Sequence, residues 1–111
     1  MNSKKRTLSL LLTGSNQTIY TCPANHEAEI VSIVISNAAG ASRTFSLDWH
    51  DDSATATHTI AEAVDIEANS LIQITDAFWL EADDYIQGLA STTSSVTISI
   101  RVNEFFYPKQ I

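Results

Sequence analysis

His50, Asp51, Asp52 and His58 are the residues whose types and closeness in sequence suggest metal or hydrolytic chemistry. A zinc site needs three or four converging ligands at a recognisable spacing. His50 and Asp51 would leave a strand on opposite faces, and His58 follows across a loop, so no zinc pattern is met. Asp51 and Asp52, with Asp83 and Asp84, offer the hard oxygens that calcium prefers, but neither pair sits in an EF-hand loop. Glycoside hydrolysis by two carboxylates requires one acid in an apolar pocket beside an ionised one. Both aspartate pairs lie in turn-like sequence, where water keeps every carboxylate charged. Cys22 has no base next to it in sequence, with His26 the candidate for a spatial partner. No serine stands in a G-x-S-x-G elbow, and Gly14, Gly40 and Gly88 make no phosphate-binding loop. The expectation is no catalytic residue, no metal and no cofactor.

The elements that would carry these residues are strands. From Val96 to Val102, Val96, Ile98, Ile100 and Val102 point one way, and Thr97, Ser99 and Arg101 the other. That period of two belongs to a half-buried antiparallel strand. Thr7 to Thr13 is a predicted first strand, ended by Gly14-Ser15-Asn16, and Gln17 to Cys22 a second, ended at Pro23. The stretch from Ile30 to Ile35 is apolar on both faces, as in a central strand or one covered by a partner chain. Asn37 to Ala41 then turns the chain into Ser42–Trp49, where Phe45, Leu47 and Trp49 face inward; the pair reads as a hairpin. Further strands are expected at Thr57–Ala61, Leu71–Thr75 and Tyr85–Ala90, with 62–69 a loop or short edge strand. Trp49 and Trp79 are expected to fill the core. The sum is an all-β antiparallel β-sandwich, jelly-roll-like in one form, with short extensions at each end.

A chain of 111 residues makes one domain. Residues 7–103 form the expected sandwich, 1–6 a flexible basic arm, and 104–111 an aromatic tail. Charge is divided accordingly. Lys4, Lys5 and Arg6 are half of the six basic residues, whereas Arg43 alone faces twelve acidic residues between 7 and 100. An acidic body repels phosphate backbones, which argues against direct nucleic-acid binding. Cys22 is the single cysteine, so no internal disulfide forms, and a free thiol suits assembly in a reducing cell. Leu8 to Leu12 is too short for a signal-peptide core, and nothing reaches transmembrane length. Large aromatics near a terminus often serve an interface. Phe105, Phe106 and Tyr107, with Lys4, Lys5 and Arg6, are therefore the candidate interface residues.

Tyr20 to Ala24, Ile30 to Asn37 and Leu80 to Ser91 resemble motifs of small all-β virion structural proteins of tailed bacteriophages, marine ones in particular. Those proteins open with Y-x-x-P-A, continue into a strand like V-x-S-I-x-I-S-N, and later turn through L-x-x-G-D-x-I. This chain has Ala82-Asp83-Asp84 where glycine-aspartate is usual, so a looser turn is expected there. The resemblance covers about residues 17–103 and implies a non-enzymatic virion component. Such a component is made in the host cytoplasm and bound to other virion proteins, with the major capsid protein foremost. A capsid decoration or cement protein, as a homo-oligomer and a trimer by preference, is the first expectation. A tail or fibre component that aids host attachment is the second. A carbohydrate-binding sandwich with Trp79 or Tyr85 as stacking platform is the third.

Overall fold

Strands account for all the regular structure in residues 2–76 and 78–106, the part of the chain that the computed structural model describes. They are β1 (Asn2–Leu11), β2 (Gln17–Thr21), β3 (His26–Asn37), β4 (Arg43–Asp51), β5 (Ala56–Ile66), β6 (Leu71–Ile74), β7 (Phe78–Leu80), β8 (Tyr85–Ala90) and β9 (Val96–Phe106). One sheet has the order β1-β9-β3-β6, with β7 also on β3; the other has the order β2-β8-β4-β5. Every pairing is antiparallel. With β6 and β7 taken as two halves of one edge, the pairs nest: first with last, second with next to last, and inward to β4 with β5. That nesting is the jelly roll, and it bears out the all-β sandwich expected from the alternation.

The core is built by the in-facing half of each strand. On β9, Val96, Ile98, Ile100 and Val102 are all buried, as their period requires. They meet Ile30, Ile33 and Ile35 of β3, and Phe45, Leu47 and Ile86 close the core from the other sheet. Each such side chain contributes roughly 1.5–3 kcal/mol by leaving water. The doubly apolar reading of β3 has a geometric answer. The register against β9 shifts between Ile30 and Ser32, leaving Val31 as an extra residue. This β-bulge moves the inward set from Ala28 and Ile30 to Ile33 and Ile35, so both phases of the strand supply core.

Five expectations need correction. The hairpin expected between the 30s and 40s does not exist, because β3 and β4 lie in different sheets. The buried Asn37 side chain turns the chain across instead. Its amide donates to the carbonyls of Ala41, Ile66 and Glu67 at 2.9–3.2 Å, and its oxygen accepts from the Ala39 N–H at 2.9 Å. The real hairpin is β4–β5, and of the loop or short edge strand expected over 62–69 it is the edge strand that is found, since β5 runs on to Ile66 at the edge of its sheet. The basic stretch expected as a free arm over 1–6 is strand from Asn2 onward, because β9 extends to Phe106 and gives it a ladder. Likewise, Glu104 to Phe106 belong to β9 rather than to a separate tail.

Trp79 is the fourth correction. Three residues of β7 alternate, so Phe78 and Leu80 turn inward and Trp79 is left 56% exposed. The Glu81–Asp84 turn closes with the Asp84 N–H donating to the Glu81 carbonyl at 3.1 Å, and Asp83 takes φ 72° there. The turn is thus tight rather than loose, with an aspartate in the left-handed position where glycine is favoured.

Candidate functional site

The acidic residues were the first candidates, and the structure uses them to hold loops. Asp84 is buried, and its two oxygens accept from the Asp52 and Glu81 N–H groups, each at 2.9 Å. Asp51 accepts from the Ser53 hydroxyl and the Ala54 N–H at 2.9 and 3.3 Å. Carboxylate oxygens of Asp51, Glu81 and Asp84 lie within 4.8 Å of one another. Sequence reasoning grouped Asp51 and Asp84 but missed Glu81, which the turn brings in. Asp52 enters through its backbone, and Asp83 through an N–H given to the Cys22 carbonyl at 2.9 Å. The cluster thereby ties the β4–β5 loop to the 81–84 turn.

The imidazoles do not join it. His50 stacks on Tyr85 with centroids 4.8 Å apart, and its Nδ1 shares a hydrogen bond with the Thr57 hydroxyl at 3.0 Å. His58 stacks on Trp49 at 4.9 Å. Cys22 is fully buried, and its sulfur faces the His26 carbonyl at 3.5 Å rather than the His26 ring. That ring donates from Nδ1 to the Ala24 carbonyl at 2.9 Å. Burial, then the negative charges of Glu104, Asp84, Asp83 and Glu27, push the Cys22 thiol up to about 12. It stays protonated and unreactive at neutral pH.

One polar network crosses the sandwich. Glu104 follows Val96–Val102 in the same inward phase and is 5% exposed. Its Oε2 accepts from the Tyr20 hydroxyl at 2.5 Å and from Arg6 at 3.1 Å. A buried carboxylate held by a guanidinium and a phenol is satisfied rather than poised. Burial and the Glu104 carboxylate raise the Tyr20 phenol well above its ordinary range. Arg6, expected at an interface, is thus half engaged in the fold. A carboxylate in phase with a buried run was the sequence signal for this site.

What remains for function is surface. Lys4 and Lys5 are exposed on β1. Phe105 and Phe106 are half-buried, the first beside Trp79 at 5.7 Å and the second beside His26 at 5.1 Å. Tyr107 lies outside the described residues. Leu11, Val31, Leu71 and Trp79 are the large apolar side chains left in water among the described residues. Beside Trp79 the sheets part to form a cleft of about 460 Å³, lined by Trp49, Ile60, Ile74, Asp76, Phe78 and Trp79.

No protein-family model matches the chain, and no curated protein matches it. Solved structures do. A protein of Bacillus endospore appendages, which form disulfide-linked pili, aligns with 96% of this chain and 88% of its own at 12% identity and a TM-score of 0.58. A capsid structure of Helicobacter pylori bacteriophage KHP30 aligns with 98% of this chain and 90% of its own, at 11% identity and 0.56. The Drosophila NLP core, described for pentamer formation and histone binding, covers 94% and 99% at 11% identity and 0.55. At such identities the likeness establishes a shared β-sandwich fold.

Proposed function

We propose that this chain is a non-enzymatic structural component of a bacteriophage virion, a decoration or cement protein that binds the assembled shell. One observation carries the reading: a jelly roll over nearly the whole chain, similar to a phage capsid structure over 98% of its length. The chemistry of the side chains supports it. Asp84, Glu104, Cys22 and Tyr20 are all occupied by contacts that hold the fold, and the exposed groups include Lys4 and Lys5 on β1 and the apolar Leu11, Leu71 and Trp79 at sheet edges, on a surface that is otherwise acidic. Function by surface and symmetry follows from that distribution.

Its partners are other virion proteins, the major capsid protein first among them, and further copies of itself. Particles of the encoding virus, separated into heads and tails and probed for this chain, test the reading. Recovery with heads at a fixed high ratio to the shell protein supports it. Recovery with isolated tails alone sinks it and favours a tail or fibre component.

Trp79 favours one other reading. An exposed indole beside Asp76 in an open cleft is a platform on which a sugar ring could stack. Glycan binding lost on Trp79→Ala would establish a carbohydrate-binding module instead.

A further inference from the structure

We propose that copies of this chain join side by side through the two edges of the β1-β9-β3-β6 sheet, β1 of one copy pairing antiparallel with the β6–β7 edge of the next. The inference rests on the structural reading above and adds the surface and the partner.

Both edges are uncovered among the described residues. β1 is ten residues long and pairs with β9 without a bulge, from Asn2 opposite Phe106 to Leu11 opposite Thr97. A long regular edge is a template for another strand. The facing edge, β6 and β7, spans residues 71–80 with an interruption after Ile74. In length the two edges match.

The ladders determine which residues lie at one level across the sheet. Lys5, Asn103, Glu29 and Trp79 share a level, and so do Leu11, Thr97, Ser36 and Leu71. Leu8 is level with Ile74, and Leu10 with Ile72. Because each neighbour in the sheet is antiparallel, β1 runs opposite to β6 and β7. Copies related by rotation about an axis parallel to the strands therefore present these edges antiparallel and in register. Leu11, 47% exposed, then meets Leu71, 58% exposed. Lys5 meets the indole of Trp79, a cation against an aromatic face. Leu8 and Leu10 meet Ile74 and Ile72 on the inward side.

Charge agrees with this register. No basic residue occurs from 44 to 100, and Asp76 stands exposed between the levels of Leu8 and Arg6. Glu29 flanks Trp79 at the level where Lys5 of the next copy would arrive. Pairing of β1 with β1 of a second copy, centred on Thr7, would instead set Lys4 against Leu10 and Arg6 against Leu8. The mismatch disfavours that dimer and leaves the head-to-tail contact, which closes into a ring when no step along the strands accompanies the rotation. A trimer is one such ring.

The test is cysteine cross-linking of the full-length protein. A double variant, Leu11→Cys with Leu71→Cys, should give a ladder of covalent oligomers on mild oxidation. Each single variant should stop at or below dimer, with buried Cys22 as a silent background. Leu71→Lys should reduce the mass in light scattering to that of a monomer with an unchanged far-ultraviolet circular dichroism spectrum, and with a melting temperature that no longer rises with protein concentration. Oligomers that show no Leu11–Leu71 cross-link and ignore Leu71→Lys overturn the proposal, since the copies then meet elsewhere. A monomer at millimolar concentration overturns it too. Neither result touches the structural role, which is decided by where the chain is found in the particle. Glycan binding by a monomer, abolished by Trp79→Ala, overturns both.

Discussion

Tyr20 and Glu104 meet across the sandwich, the phenol of β2 donating to the carboxylate of β9 at 2.5 Å. The two residues are 84 apart in sequence, and the bond joins the two sheets near the ends of β2 and β9. Arg6 supplies the countercharge from β1 and is partly open to water. Tyr20→Phe should therefore cost about 1.5–3 kcal/mol, the range for a buried hydrogen bond to a charged group. Arg6→Ala removes a partner that water can partly replace and should cost less. Urea denaturation of the two variants checks the order, and an equal loss would mean that the phenol is not the principal partner.

Alkaline pH should weaken the fold. Burial, with the nearby carboxylates, raises Cys22 and Tyr20 above their ordinary values of 9.0 and 10.0. Between the unfolded and folded values the unfolded chain gives up these protons while the folded chain keeps them. Stability is then full below about pH 9 and falls as pH rises above it. Melting temperature measured from pH 7 to 11 should show that decline. Tyr20→Phe should make it shallower, and a profile flat to pH 11 would contradict the assignment.

Gly88 is required by close packing. A Cβ there would stand 2.6 Å from Leu47 Cδ2 and 2.7 Å from the Ser46 carbonyl oxygen. The second neighbour is backbone and cannot rotate away. Gly88→Ala should destabilise by about 1–3 kcal/mol through overpacking. Chemical denaturation of that variant checks the value, and wild-type stability would mean that β8 shifts freely against β4.

Thr55 and Asp83 are two of the six described side-chain-bearing residues held where glycine is at ease. Thr55, exposed in the β4–β5 loop, has φ 52°, and Asp83 has φ 72°. A β-branched residue in that region is strained. Thr55→Gly should raise stability by about 1 kcal/mol, and Asp83→Gly by somewhat less, because aspartate tolerates the conformation better. Differential scanning calorimetry reads both, and a loss at Thr55→Gly would show that its side chain makes a contact worth more than the strain.

The fold class was legible because alternation in β9 and β4 is read directly as an inward and an outward face. Nested pairing was not, since period two says that a strand exists and nothing about its partner. The Asn37 side chain shows why: its bonds to Ala41, Ile66 and Glu67 send the chain to the opposite sheet, whereas the local pattern suggested a hairpin. The β-bulge at Val31 was hidden for a similar reason, because one extra residue in a wholly apolar run leaves no polar mark. At the surface, Lys4 and Lys5 stood out by charge. Arg6 looked the same in sequence, but Glu104, nearly a hundred residues away, draws it into the fold. Trp79 was misplaced because its size argued for burial, while the alternation of Phe78 and Leu80 decided otherwise.

The most direct test of a shell-bound structural role is a reconstruction of the intact virion at a resolution that traces strands. The expected result is density for this jelly roll on the capsid surface, repeated at symmetric positions in many copies. Density confined to the tail, or none on purified heads that carry the full set of shell proteins, would contradict it.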